Sequence, residues 1–112
     1  MESDVYGDGR WGLQNVIIKN RTGEDLKDIY LTYGGLGKPI LKISGISKDE
    51  QQIKSLIVNH LTKPTNLILF YYKDNKKEEI VVYDNLIHGD LRTLTLTISI
   101  NGDKFIVKTT FD

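Results

Sequence analysis

The clearest pattern in the chain lies near its C-terminal end, where Leu94, Leu96, Ile98 and Ile100 alternate with Thr93, Thr95, Thr97 and Ser99. Successive side chains of a strand point to opposite faces, so this stretch predicts a half-buried β-strand. Burying its four aliphatic side chains contributes roughly 6–12 kcal/mol before conformational entropy is set against it. Asn101-Gly102 follows, a dipeptide that favours a type I′ hairpin turn because both central positions of that turn need positive φ. Residues 104–111 are therefore expected to pair back, with Phe105, Val107 and Phe111 on one face. As an edge strand, this segment would use Lys104 and Lys108 to discourage aggregation, or would accept a strand from a partner.

The same period of two runs through the rest of the sequence. Residues 13–20 place Val16 and Ile18 on one face, and residues 26–33 place Ile29, Leu31 and Tyr33 opposite Tyr30 and Thr32. The polar run Asn20-Arg21-Thr22-Gly23-Glu24-Asp25 between them reads as the turn of a hairpin. Residues 40–43 form a short strand. Residues 51–58 read as a strand, although Ile53, Leu56 and Ile57 also fit helical spacing. Residues 66–73 are almost continuously apolar, the signature of a central strand covered on both faces. Asp74-Asn75-Lys76-Lys77 turns it back into residues 78–85, with Val81 and Tyr83 on one face and Ile80 and Val82 on the other.

Seven to eight short strands at about ten-residue spacing predict an all-β fold, an antiparallel β-sandwich. Residues 1–12 are expected to be a flexible N-terminal segment, loose as far as Trp11, which would dock on the sheet. Residues 13–112 then form a single sandwich domain. Composition agrees: the chain has 112 residues with 14 Ile, 13 Leu, 9 Thr and 6 Tyr, and no alanine, the best helix former. No apolar run is long enough to span a membrane and no secretory leader is written, so the chain reads as cytoplasmic. A secreted protein whose leader had been removed would read the same way.

Charge narrows the function classes. Fifteen Lys and Arg balance fifteen Asp and Glu, which disfavours nucleic acid as a partner. The balance is uneven along the chain: residues 1–28 carry −2, residues 29–77 carry +5 and residues 78–112 carry −3, so the middle could present one positive face. The absence of cysteine excludes disulfides, thiolate metal sites and cysteine nucleophiles.

Each candidate for chemistry has a simpler structural explanation. Gly34-Gly35-Leu36-Gly37-Lys38 looks like a phosphate loop, but Pro39 stands where a Ser or Thr would hold magnesium and strand follows where helix is needed. His60 and His88 lie in turn-rich segments; Asp84 and Asp90 flank His88 without completing a triad or a metal-ligand set. Asp74-Asn75, Asp84-Asn85 and residues 101–103 would offer oxygen ligands to calcium if they met at one end, yet hairpin turns want the same residues. Asn20-Arg21-Thr22 matches the glycosylation acceptor pattern. No enzyme, cofactor or metal site is expected.

The aromatic residues say more. Tyr71 and Tyr72 are adjacent on one strand, so one ring faces away from the core, and Lys73, Lys76 and Lys77 lie beside them. With Trp11 and Tyr30 they are amphipathic anchors suited to a protein, a glycan or a lipid headgroup layer.

The stretches Val16 to Gly23, Ile29-Tyr30-Leu31-Thr32-Tyr33, Leu69 to Asp74 and the Thr-rich strand 94–100 resemble small bacterial immunoglobulin-like β-sandwich domains of uncharacterised function. A fainter similarity, carried by the aromatic opening from Trp11 into the strand ending at Asn20, is to aegerolysin-type lipid-binding sandwiches. The chain departs from those in being shorter and in lacking their later tryptophan-rich segments. Neither resemblance carries a functional residue over. The expected function is a non-enzymatic interaction module that binds another protein through a sheet edge or the tyrosine-bearing face. Trp11, Tyr30, Tyr71, Tyr72, Lys73, Lys76 and Lys108 are its candidate binding residues. The alternative is a membrane- or glycan-surface binder of aegerolysin-like type. Oligomeric state is left open, since a free edge can self-pair.

Overall fold

Among the described residues eight strands form two four-stranded sheets: β1 (Leu13–Asn20), β2 (Ile29–Tyr33), β3 (Leu41–Ile43), β4 (Gln51–Ile57), β5 (Thr65–Lys73), β6 (Lys76–Leu86), β7 (Leu94–Asn101) and β8 (Lys104–Phe111). The computed structural model describes residues 13–34, 39–57, 64–86 and 93–111. The expectations for residues 1–12, Trp11 included, for residues 35–38 and for His60 and His88 lie outside these. The sheet orders are β4-β1-β7-β8 and β3-β2-β5-β6. Among the described residues no helix is long and apolar enough to cross a membrane.

Alternation sorts the side chains as the pattern requires. Val16, Ile18, Leu94, Leu96 and Ile98 of the first sheet and Ile29, Leu31, Leu67, Leu69 and Tyr71 of the second belong to one buried cluster. Contacts run between the sheets on the β6–β8 side. The Tyr71 and Phe105 rings lie 4.4 Å apart, Tyr83 meets Phe111 edge-on at 4.9 Å, and the Thr109 hydroxyl donates to the Val82 carbonyl at 2.6 Å. β4 runs as a strand through Ile57, which settles the ambiguity of that segment.

Four expectations need correction. The first concerns direction: β1 and β7 pair in parallel, Val16 opposite Leu94 through Asn20 opposite Ile98, so the first sheet is mixed rather than antiparallel. No turn links these two strands, and local sequence therefore does not fix their relative direction.

The second concerns the polar run after β1. It is not a hairpin turn, because β1 and β2 belong to different sheets. Asn20 redirects the chain. Its Nδ2 donates to the carbonyls of Glu24 (2.8 Å), Ile46 (2.9 Å) and Ser47 (3.2 Å). Its Oδ1 accepts from the Thr22 backbone N–H at 3.0 Å and the Thr22 hydroxyl at 2.7 Å, a local turn of the kind Asn favours. Leu26 then bridges Ile46 in the connection between β3 and β4. Gly45 permits that approach, since it holds φ of 67° and a Cβ there would lie 3.2 Å from the Leu26 carbonyl oxygen. With Asn20 fully buried and its amide nitrogen committed to three carbonyls, the acceptor pattern at Asn20 is structural.

The third concerns the hairpins. Asn101 still pairs with Lys104, so the β7–β8 turn is centred on Gly102-Asp103 and has one positive φ, at Gly102. That is the pattern of a II′ turn. The turn with two positive values is β5–β6, at Asp74 (52°) and Asn75 (65°). The fourth concerns β6. Register shifts beside Leu67 insert Val82, so Val81 lies opposite Ile68 and Tyr83 opposite Leu67. Val81 is exposed while Tyr83 packs on the core, and the two therefore do not share a face.

Candidate functional site

The outer face of the second sheet carries an aromatic cluster. Tyr30 on β2 and Phe70 on β5 are direct cross-strand partners. Their rings stack at 4.9 Å with 12° between planes. Tyr72, two residues along β5 on the same face, stands edge-on to both, 6.1 Å from Tyr30 and 6.0 Å from Phe70. Lys77, paired with Tyr72 across the β5–β6 hairpin, places its Nζ 4.3 Å from the centre of the Phe70 ring. Phe70 is buried beneath these neighbours, yet it does not belong to the core cluster. Tyr72 is 58% exposed and is the most accessible ring of the group.

Charged side chains edge this face. Lys42, opposite Tyr30 on β3, pairs with Asp28 at 3.3 Å, and Lys77 pairs with Glu79 at 3.4 Å. Lys27 and Asp28 join Tyr30 and Tyr72 around a shallow depression. Among the described residues, the basic middle third does not gather into one positive face: Lys54 lies on the first sheet and Lys42, Lys73, Lys76 and Lys77 on the second, with Lys42, Lys73 and Lys77 each paired with an acid.

The candidate residues separate into distinct places. Tyr30 and Tyr72 come together. Tyr71 turns to the opposite face, buried against Phe105, where its hydroxyl accepts a 3.5 Å hydrogen bond from the Phe105 N–H. Lys73 reaches the β7–β8 turn, donating to the Asp103 carbonyl at 2.7 Å and pairing with its carboxylate at 3.1 Å. That ammonium holds the Asp103 carboxyl below its ordinary value of 3.8. Lys76 lines a cleft with Tyr71, Glu78 and Lys104, away from the Tyr72 face, which receives Lys77 instead. Lys108 stands opposite Thr97 on the exposed side of the first sheet, at its edge. Trp11 lies outside the described residues. Phe70 carries no local mark of this role in the sequence, because only the pairing of β5 with β2 and β6 makes it the anchor of the cluster.

The calcium arrangement does not assemble. Asp74 and Asp103 meet at one end, but Asp84 lies near the far end of β6. Among the described residues no three metal-binding groups are placed to hold an ion. Comparison with known proteins gives no family model, no curated protein and no solved structure that matches the chain.

Proposed function

We propose that the two sheets stack as a β-sandwich and that the protein is a non-enzymatic interaction module, docking another protein on the tyrosine-bearing outer face of β2 and β5. The observation that carries this reading is the Tyr30–Phe70–Tyr72 cluster outside the core, with Tyr72 presented to solvent. Tyrosines held by neighbouring rings lose little conformational freedom on binding, and aromatic residues of this kind dominate the energetics of protein interfaces. Near-neutral charge across the face, with its acids and lysines paired, suits a protein surface better than a polyanion.

The test uses wild-type protein and Tyr72→Ala as baits, followed by titration of each purified partner. Loss of a central tyrosine is expected to weaken a genuine complex by about thirtyfold or more. The fold should be little changed, because the ring is already largely exposed. Unchanged affinity in both Tyr72→Ala and Tyr30→Ala would overturn the reading. Salt-resistant sedimentation with neutral and anionic liposomes, or glycan retention lost in Tyr72→Ala, would replace it with the surface-binding alternative.

A further inference from the structure

The end of the molecule that holds the β5–β6 and β7–β8 turns contains a cavity of about 410 Å³, within the size range of small-molecule sites. It adjoins the outer aromatic face, sharing Tyr72, Lys27 and Asp28 with the depression there, but its floor is formed by other residues. Its floor is apolar: Ile29, Ile100, and the tilted rings of Tyr71 and Phe105. Ile100 is the one member of the alternating β7 set that is not fully buried, and it lines this opening.

The rim is acidic. Glu24, Asp25, Asp28, Asp74 and Asp103 line it against Lys27 and Lys73. Lys73 is neutralised by Asp103, and Asp28 is paired with Lys42. Glu24 and Asp74 have no cationic partner among the described residues. One polar group on the floor is also underused. Tyr71 is more than nine-tenths buried, and its hydroxyl makes a single long hydrogen bond, 3.5 Å from the Phe105 N–H, among the described residues. Beyond that bond the phenol keeps one lone pair, able to accept, and its own O–H proton.

We infer that this cavity binds a small organic cation, an ammonium or guanidinium group carried on a flat apolar body. The body lies against Tyr71 and Phe105. The cationic head donates to the Tyr71 hydroxyl oxygen and is balanced by Glu24 and Asp74. An anion of the same shape meets the acidic rim and is disfavoured. The inference stands whether or not the outer face docks a protein.

Phenethylammonium and phenylacetate, similar in shape and opposite in charge, are the probes, with binding followed by backbone amide chemical shifts. For a ligand of this size a Kd on the order of 1 mM is expected for the cation. Its saturable shifts should fall on residues 24–29, 71–74 and 100–105, with phenylacetate at least tenfold weaker. Glu24→Gln with Asp74→Asn should weaken the cation about fivefold; Asn tolerates the positive φ at position 74, so the turn is kept. Tyr71→Phe keeps the ring and should weaken the cation about threefold. Equal binding of the two probes overturns the proposal. So does an absence of saturable shifts, or affinity unchanged in both the double variant and Tyr71→Phe.

Discussion

Replacing Asn20 by alanine removes an amide that donates to three carbonyls from two different connections. The bond to Ile46 is buried, so its carbonyl would lose a partner that water does not readily replace, whereas the other two are part-buried. Asn20→Ala should therefore lower the unfolding free energy by about 2–4 kcal/mol in a denaturant titration. Tyr33 makes a different prediction. Burial pushes its phenol up to about 12 from 10.0. Below pH 10 both folded and unfolded chains keep the proton. Above it the unfolded chain ionises first, so stability falls until the folded phenol titrates near 12. Tyr33→Phe should flatten that alkaline limb by roughly 1–3 kcal/mol relative to wild type, measured by unfolding at stepped pH. The outward turn of one of the two rings Tyr71 and Tyr72 was legible in their adjacency. The burial of Phe70 agrees with the apolar run that reads as a strand covered on both faces, but Tyr30 and Lys77, which cover it, come from β2 and β6 and leave no local mark.

At the scale of the strand, local pattern located nearly every element and misjudged the joints between them. The alternation in β7 and β8 and the apolar run of β5 correspond to strands in the structure. The bulge at Val82 left no mark on the alternation, since both registers place apolar residues inward. The Asn-Gly dipeptide suggested the wrong turn centre because the pairing of Asn101 with Lys104 outweighs its intrinsic preference. β8 lies at an edge of its sheet, with Lys104, Ile106, Lys108 and Thr110 on its exposed side. Lysines on such an edge oppose strand-to-strand addition by another copy. Replacing Lys104 and Lys108 together by valine should shift the protein toward larger species in size-exclusion chromatography, while a Lys108→Glu change should not.

At the scale of the molecule, the all-β class could be read from composition and spacing, whereas the arrangement of the strands could not. Which strands become neighbours depends on contacts between distant segments, and the pairing of residue 16 with residue 94 is the plainest case. Such pairing closes a long loop before any reward is collected, which favours slow folding over fast. The end cavity has no local signature for a related reason: Glu24, Tyr71, Asp74 and Phe105 are brought together only when the two sheets and three connections meet.

The parallel pairing also has a mechanical side. Val16 lies beside Leu94, and Leu94 beside Phe111, about 10 Å apart at two strand spacings, so the first half of β1 and the end of β8 sit at the same end of one sheet. Tension applied between Leu13 and Phe111 therefore tugs both strands from the same side, and the ladder opens one bond at a time at low force. Tension applied between Asn20 and Phe111 loads the bonds of β1, β7 and β8 together in shear and should require a distinctly higher rupture force in a single-molecule pulling experiment. The same fold would then be soft along one pulling direction and stiff along the other.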